Sequence, residues 1–268
     1  MSVLATVGVG WVVMSAAMAL LWLIVWRRNA GYVDVAWSLG TGVLAVAFAL
    51  TAEGGYHPRR LLVAALACIW AIRLGGYLLR RVAGEPEDGR YQALRRDWGA
   101  RAPLYLFVFF QVQAIWAVMF SAPMLIAARN PRPGIVAGDL IGVLIAVVAI
   151  VGESLADRQL ARFRSDPASR GRVCQVGLWR YSRHPNYFFE WLHWFAYVAI
   201  GFAAPWGWLT LAGPVVMYVF ITRVTGIPPT EARAIESRGD AYREYQRTTS
   251  AFVPWPRERR LRADRART

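Results

Sequence analysis

Seven long apolar runs constrain this chain more than any other feature of its sequence. They cover residues 3–26, 34–52, 61–79, 104–128, 136–156, 187–203 and 206–222. Because a hydrocarbon core about 30 Å thick needs roughly 20 apolar residues per helix, runs of this length predict membrane-spanning helices. A composition that is 56% hydrophobic with 13 Trp residues argues against a soluble domain. We therefore predict an all-α membrane bundle of seven transmembrane helices.

The arginines predict how this bundle is oriented. The chain has 31 basic residues, all of them Arg. Placing alternate loops on alternate sides puts 26 on one side, four on the other and Arg73 inside the third run. The positive-inside rule then predicts the N-terminus outside and the C-terminus in the cytoplasm. The net charge of +14 reflects this topology, with attraction to anionic lipid headgroups as a second effect, and no nucleic-acid partner is predicted.

The apolar runs leave little room for a separate soluble domain, so residues 1–255 are predicted to form a single membrane domain. After the last run, "PPTEARAIESRGDAYREYQ" predicts a short helix capped by Thr230, a stop at Gly239 and a second helix. Residues 256–268 are charged and lack an apolar face, which predicts a disordered or surface-bound tail.

Cysteine and histidine offer no pattern for a metal. Cys68 and Cys174 have no CxxC companion, and they fall in a helix and in a loop that are far apart in the predicted topology. Of the three histidines, His57 belongs to the opposite side of the membrane from His184 and His193. No metal site is therefore predicted.

Polar side chains within the apolar runs all map to the predicted cytoplasmic half of the bundle. They are Asp34, Arg73, Gln111, Gln113, Glu153, Asp157, Asn186, Glu190 and His193. Because a charge inside a bilayer costs at least about 2.5 kcal/mol, such groups face a protein interior or a wet cavity. The pattern predicts a polar pocket that opens to the cytoplasm and narrows into an apolar chamber. The alternative, for Gln111, Gln113 or His193 alone, is a hydrogen bond that joins two helices.

The stretch "RHPN" predicts that this pocket binds an anion. Pro185 stands at a favoured first helical position, so the next helix presents free backbone N–H groups to the cytoplasm, and seven arginines precede it. Asn186 and Glu190 can hydrogen-bond amide or hydroxyl groups, while Tyr187 can cover a ring. This mixture fits a nucleotide cofactor. A solvated loop accounts for several of the arginines but not for Asn186 and Glu190, one turn further in.

Two stretches resemble the C-terminal signature of the steroid 5-alpha-reductase superfamily: "GLWRYSRHPNYFFEWLHWF" and "TEARAIESRGDAYREYQRTTSAFVPW". The stretches "DVAW", "GEPEDGRYQALRRDWG" and "ESLADRQLARFRSDP" resemble its uncharacterised bacterial branch. The resemblance covers residues 30–256, with the C-terminal signature in about 150–255. It implies a seven-helix fold in the bacterial inner membrane, an NADPH cavity open to the cytoplasm and a lipid or steroid chamber among the first four helices.

The resemblance also implies roles for particular residues. The cofactor positions of the superfamily match Asp157, Arg164, Asn186 and Glu190, and the shared signature adds Arg183, His184, Tyr187 and Glu231. Characterised 5-alpha-reductases polarise an enone carbonyl with a Glu on helix 2 and a Tyr on helix 3. Here helix 2 offers Asp34, and the Tyr position reads as Trp70, which has no phenol to donate a proton.

We therefore expect an NADPH-dependent oxidoreductase that reduces an activated alkene in a lipophilic substrate. Asp34 and Tyr77 are the candidate proton donors, and Arg73, one helical turn from Tyr77, is the candidate that stabilises the oxyanion. Two alternatives stay open. One is a methyltransferase of the isoprenylcysteine type that binds S-adenosylmethionine, because it shares "RHPNY". The other is a non-catalytic lipid-binding protein. Membrane lipids and a small-molecule substrate are the expected partners, with no obligate protein partner.

Overall fold

The structure is a computed structural model that describes residues 2–256. Within these residues the regular structure is helical, and β pairing is limited to an isolated bridge between Ser182 and Ser250. The α-helices are α1 (Val3–Val25), α2 (Tyr32–Thr51), α3 (His57–Gly84), α4 (Gly89–Trp98), α5 (Ala102–Ala128), α6 (Ala137–Ser165), α7 (Pro185–Gly201), α8 (Ala212–Val219), α9 (Ile227–Arg238) and α10 (Asp240–Thr248). Beyond Pro256, the predicted tail lies outside the described residues.

Six helical segments in residues 2–256 are long and apolar enough to cross a membrane, which confirms the prediction of an all-α membrane protein. They are Val3–Val25, Tyr32–Thr51, His57–Gly84, Gly89–Ala128, Ala137–Ser165 and Gly207–Arg238. The remaining predicted span, 187–203, forms α7, which has 17 residues and rises about 25 Å. Because α7 is short for a span, the count of seven stays a prediction.

Helix boundaries confirm some sequence signals and correct one. α7 begins at Pro185, as predicted, and Gly239 separates α9 from α10 with a φ of 53°, in the left-handed region that favours glycine. Thr230 was predicted as a helix N-cap, and this is wrong. Gly226 is the N-cap, and α9 begins at Ile227 with proline in its first turn, where a missing N–H costs nothing.

The described chain divides into two compact units. The first unit runs to Ala146 and includes Phe195–Gly213, while the second comprises Val147–Trp194 and the chain from Pro214 onward. The first unit holds the three predicted catalytic residues, and the second holds all eight predicted cofactor residues. The single domain expected over residues 1–255 stays a prediction.

Close helix packing organises the first unit, in which α2 lies against both α3 and α5. A Cβ atom at Gly42 would lie 2.1 Å from the Cβ atom of Ala71, so only glycine allows this approach of α2 to α3. On another side, the indole of Trp22 in α1 donates to the carbonyl of Pro103 in α5 at 3.0 Å. Small residues and amphipathic indoles thus join helices that have no hydrophobic driving force within lipid.

A buried ion pair closes the first unit at the end opposite Asp34. The guanidinium of Arg59 contacts both carboxylate oxygens of Asp139 at 2.6 and 2.7 Å, and both side chains are almost fully buried. Its remaining donors bond to the backbone carbonyls of Asn130, Arg132 and Gly134. Every N–H of this guanidinium is therefore matched, which is the condition under which a buried charge is tolerated.

Candidate functional site

The start of α7 is held in place by the segment that follows α10. The Arg183 N–H donates to the carbonyl of Ser250 at 2.8 Å, and the hydroxyl of Ser182 accepts from the His184 N–H at 3.1 Å and donates to the carbonyl of Phe252 at 2.8 Å. Phe252 in turn packs edge-on against Trp191, with ring centroids 5.5 Å apart. These contacts fix the direction in which the first N–H groups of α7 point.

Glu231 on α9 is the common acceptor in a hydrogen-bond network around this segment. Its Oε1 accepts from Arg183 Nε at 2.6 Å, from His184 Nε2 at 3.1 Å and from the hydroxyl of Tyr242 at 3.4 Å. Its Oε2 accepts from the amide of Gln246 at 2.7 Å. The carboxylate therefore receives four side-chain donors, which link α7, α9 and α10.

Arg183 is largely committed to this network. Besides Glu231, its Nη1 donates to the backbone carbonyls of Gln246 and Thr249 at 3.0 and 2.6 Å. Bonds to a carboxylate and to two carbonyls leave this guanidinium with little donor capacity for a phosphate. Arg183, His184 and Glu231 thus tie the start of α7 to α9 and α10.

Burial decides the charge state of two members of the network. It lowers the pKa of His184 below its ordinary value, against the opposing effect of the Glu231 carboxylate. Burial also raises the pKa of Tyr242, and the negative charge of Glu231 adds to this shift. Both side chains are therefore neutral near pH 7, and each offers one hydrogen to Glu231.

Asp157 on α6 and Asn186 at the start of α7 form a hydrogen-bonded pair. The Asn186 Nδ2 donates to Asp157 Oδ1 at 3.3 Å, and Asp157 is buried. The Asn186 Oδ1 is buried and has no hydrogen-bond partner among residues 2–256. Glu190, one turn further along α7, is also buried. The start of α7 thus carries one buried acceptor, the Asn186 Oδ1, that no group in residues 2–256 satisfies.

The remaining predicted cofactor residues are Arg164 and Tyr187. Arg164 is exposed in the last turn of α6, as is Arg162, and the exposed Arg158 lies earlier on the same helix. The ring of Tyr187 stacks on the His184 imidazole with centroids 5.3 Å apart and an angle of 4° between the planes. Exposed guanidinium groups that lie near a helix start are suited to phosphate oxygens.

In the first unit, Asp34 is held by two residues that sequence reasoning did not select. Its Oδ2 lies 3.1 Å from Arg90 Nη2, and its Oδ1 accepts from the hydroxyl of Tyr91 at 2.8 Å. Arg90 also contacts Asp88 at 3.3 Å, and Asp88 pairs with Arg81 at 2.7 Å. The "GEPEDGRY" segment between α3 and α4 thus folds over the start of α2 and brings an acid, a phenol and a guanidinium together.

Asp34 lines a small cleft of about 40 Å³. The polar part of its wall is formed by Arg81, Glu85, Asp88 and Arg90. The cleft is therefore lined by both guanidinium and carboxylate groups. This volume accommodates water molecules but no nucleotide. The other two predicted catalytic residues meet each other on α3, where the Arg73 guanidinium lies 5.7 Å from the ring centroid of Tyr77. The hydrogen bonds of Asp34 go to Arg90 and Tyr91 instead of to this pair.

Sequence comparisons place the chain in a known family. Residues 21–249 match the sequence model of the family described as "Protein of unknown function (DUF1295)". The chain belongs to this family. The family is a steroid 5-alpha-reductase-like group, which confirms the superfamily expected from the sequence motifs.

An uncharacterised protein of the fission yeast Schizosaccharomyces pombe is similar to this DUF1295 chain. The two are 28% identical, and the match covers 86% of this chain and 74% of the yeast protein. The family match at residues 21–249 includes both the catalytic candidates and the cofactor candidates of this DUF1295 protein.

The residues that sequence reasoning missed share one property. Arg90, Tyr91 and Gln246 lie outside the apolar runs, in segments where polar side chains are ordinary. For Arg90 and Tyr91, the sequence signal is the motif "GEPEDGRYQALRRDWG", which contains both residues. In residues 2–256, no group of three or more His, Cys, Asp or Glu side chains is arranged to hold a metal ion.

Proposed function

We propose that this protein is an integral membrane reductase that uses NADPH to reduce an activated alkene in a lipophilic molecule. Membership of a steroid 5-alpha-reductase-like group supports the proposal. The observation that carries it is the buried, unused Oδ1 of Asn186 beside Asp157. Buried acceptors in proteins are nearly always matched, so this oxygen is available to an amide or hydroxyl group of a ligand.

The groups around Asn186 fit the chemistry of NADPH. The exposed arginines at the end of α6, with Arg164 among them, offer paired donors to phosphate oxygens. The first N–H groups of α7 add partial positive charge. The Asn186 Oδ1 and the Glu190 carboxylate can accept hydrogen bonds from the carboxamide and the ribose hydroxyls of NADPH. The ring of Tyr187 offers a flat surface to the cofactor.

The positioning network is the second part of the proposal. Arg183, His184 and Glu231 hold the start of α7 against α9 and α10 through the hydrogen bonds described above. Because the start of α7 is rigid, Asn186 and its partner Asp157 are already oriented before a cofactor binds. Binding then costs less conformational entropy.

In the proposed reaction NADPH supplies a hydride when bound, and the protein supplies a proton and stabilises negative charge. Asp34 and Tyr77 are the proposed proton donors. The hydroxyl of Tyr91 donates to Asp34 Oδ1 and fixes the orientation of that carboxyl group. The Arg73 guanidinium is proposed to stabilise the oxyanion of the substrate.

We also propose that the chain crosses the membrane seven times, with the N-terminus outside and the cofactor residues on the cytoplasmic side. The distribution of arginines, 26 against four, supports this orientation. The motifs support placement in the bacterial branch of the superfamily and in the inner membrane. A reporter fused after Thr268 should then be cytoplasmic and one fused before Met1 should not. A periplasmic C-terminal reporter would contradict the cytoplasmic cofactor site.

Titration of the purified protein with NADPH tests the proposed cofactor. Asn186→Ala and Glu190→Ala should each weaken NADPH binding by about fivefold or more, because loss of one buried partner costs about 1 to 3 kcal/mol. Thermal unfolding should show that both variants stay folded. Arg243→Ala, which removes an exposed ion pair with Asp240 in the same unit, is the matched control and should leave NADPH affinity unchanged.

The same titration separates the competing functions. Tight binding of S-adenosylmethionine without binding of NADPH would favour a methyltransferase. Absence of binding to either nucleotide would favour a lipid-binding protein. Mass spectrometry of the small molecules retained after gentle detergent purification provides an independent readout, in which retained NADP supports the reductase.

A further inference from the structure

Large apolar side chains remain exposed where the segment after α10 meets the residues before α7. Val253 is 48% exposed and Trp255 is 67% exposed. Tyr181, whose carbonyl accepts from the Trp255 N–H at 2.9 Å, is 43% exposed. Single exposed apolar residues are normal on a protein surface, but here three lie around one hydrogen bond. We call Tyr181, Val253 and Trp255 the C-terminal patch.

The neighbouring Phe252 indicates the depth of this patch relative to a membrane. Its buried ring lies 5.5 Å from the ring of Trp191 on α7 and 5.6 Å from the ring of Tyr218 on α8, measured between centroids. Tyr218 belongs to the candidate span Gly207–Arg238. It lies four residues before the end of the apolar run 206–222, which is about 6 Å of helix rise. This depth corresponds to the boundary between lipid headgroups and acyl chains.

The backbone of the patch is suited to such a boundary. Pro254 and Pro256 have no N–H, and the N–H of Trp255 between them is bonded to the Tyr181 carbonyl. An unmatched N–H is costly where lipid replaces water. Residues 254–256 therefore bring no free backbone donor to the lipid. Trp and Tyr are also the residues enriched at membrane interfaces, because each joins an apolar ring to one polar atom.

Positive charge adjoins the patch. Arg180 is exposed and directly precedes Tyr181. In the sequence, six of the twelve residues that follow Pro256 are Arg and two are acidic. Guanidinium groups bind phosphate oxygens, and basic residues are attracted to the negative surface of anionic membranes. A second copy of this chain would place like charges opposite one another, so a lipid surface is the better electrostatic match.

We propose that the C-terminal patch is an anchor that binds the headgroup region of anionic phospholipids in the cytoplasmic leaflet. The rings of Tyr181 and Trp255 lie at the boundary with the acyl chains, and Arg180 pairs with a lipid phosphate. Because this segment is bonded to Ser182 and Arg183, the membrane also holds the residues from which α7 begins. The inference needs no bound cofactor, and it rests on the proposed orientation only for the choice of leaflet.

Spin labels on the full-length protein in lipid nanodiscs test the location of the patch. The label is attached to Val253→Cys in a chain whose Cys68 and Cys174 are replaced by Ala. Collisions with O₂, which concentrates in lipid, are compared with collisions with a neutral nickel chelate, which stays in water. The ratio of O₂ to nickel collisions at this position should be severalfold higher than at a position in water.

Ala168→Cys provides the matched control in water. Ala168 is exposed and lies in the second unit, in the loop after α6. Helix α6 continues to Ser165, nine residues or about 14 Å beyond the apolar run that ends at residue 156. A label on this loop should therefore collide mainly with the nickel chelate.

Amide exchange in the wild-type protein tests the preference for anionic lipid and needs no cysteine substitution. Exchange of the Trp255 N–H should be about fivefold slower in nanodiscs with phosphatidylglycerol than in phosphatidylcholine alone, from the attraction of one arginine to an anionic surface. Arg180→Gln should reduce this difference. Arg170→Gln, which removes another exposed arginine of the same unit, should retain it. If the cysteine-free chain does not fold, this measurement decides the question.

Three results would overturn the inference. Ready access of the nickel chelate to the label at position 253 would place the patch in water. Exclusion of both reagents, with spin–spin broadening that grows with protein density, would place a second copy of this chain on the patch. Equal exchange of the Trp255 N–H in the two lipid mixtures would contradict binding to anionic headgroups. NADPH titration, which tests the proposed function, is independent of all three.

Discussion

Asp34 in the first unit and Glu231 in the second are both carboxylates held by an arginine and a tyrosine, yet their surroundings differ. Glu231 accepts from four side chains, whereas Asp34 accepts from two. The Asp34 side chain is 28% exposed and that of Glu231 is 13% exposed. A carboxylate has about four acceptor positions. Glu231 therefore has none to spare, and Asp34 retains capacity for a further partner at the edge of its cleft.

This difference separates two roles that a motif cannot distinguish. A carboxylate on α9 that is saturated by donors from α10 and from the residues just before α7 stabilises the arrangement of these elements. A carboxylate with a phenol on one oxygen and open capacity beside it can take part in proton transfer. The comparison predicts that a substitution of Asp34 will change turnover, whereas a substitution of Glu231 will change stability.

The largest expected effect is on turnover, from Asp34→Asn. The amide cannot donate a carboxylic proton, so NADPH oxidation with a lipophilic enone should fall about 100-fold or more. NADPH affinity and the melting temperature should change little, because Asn retains a partner for Tyr91. Glu85→Gln, an exposed position in the same cleft, is the control and should retain turnover. Full activity of Asp34→Asn would remove Asp34 from the chemistry.

The next effect is on stability, from Glu231→Ala. This change leaves Arg183, His184 and Gln246 without their common acceptor, and loss of hydrogen bonds to a charged group costs about 2 to 3 kcal/mol. A lower melting temperature and faster amide exchange in α9 and α10 are the readouts. Asp240→Ala, which removes an exposed ion pair within the first turn of α10, should change both far less. A Glu231→Ala protein of unchanged stability that has lost NADPH binding would make Glu231 a direct ligand.

A smaller effect is expected from Trp70→Tyr in the first unit. Trp70 occupies the helix 3 position at which the superfamily resemblance expects Tyr, and its ring is completely buried beside Trp37. The substitution adds a phenolic donor and frees some volume, so steroid-dependent NADPH oxidation should rise severalfold. Trp70→Phe frees comparable volume without a donor and should not produce the rise. Rapid steroid reduction by the wild-type protein would show that another acid already serves this purpose.

The smallest effect is a pH dependence that belongs to the second unit alone. Burial lowers the pKa of His184 in the folded protein below the ordinary value of 6.5. As the pH falls below that value, the unfolded chain binds a proton that the folded chain refuses, so stability decreases. The melting temperature should therefore drop between about pH 7.5 and about pH 5.5. His184→Gln, which keeps a donor for Glu231, should reduce this drop, and an identical drop would assign it to other groups.

The sequence singled out more of the polar side chains that the structure brings together in the second unit than in the first. Asn186 and Glu190 are conspicuous because they are polar residues in or next to an apolar run, and Pro185 marks the start of their helix. Their cofactor roles stay predictions. Arg90 and Tyr91 were not found, because they lie in a polar segment where nothing distinguishes them. The cofactor role of Arg183 stays a prediction, and only the structure shows that its guanidinium donates to Glu231 and to two backbone carbonyls.

The sequence by itself determined the helical membrane class, most helix positions, the helix start at Pro185 and the family. These properties follow from the length of apolar runs and from local backbone preferences, which are written into consecutive residues. Only the tertiary structure decided which side chains meet. Arg59 and Asp139 are 80 positions apart, Tyr91 and Asp34 are 57 apart, and Arg183 and Glu231 are 48 apart. Partners at such separations depend on how helices pack, and no local pattern specifies that packing.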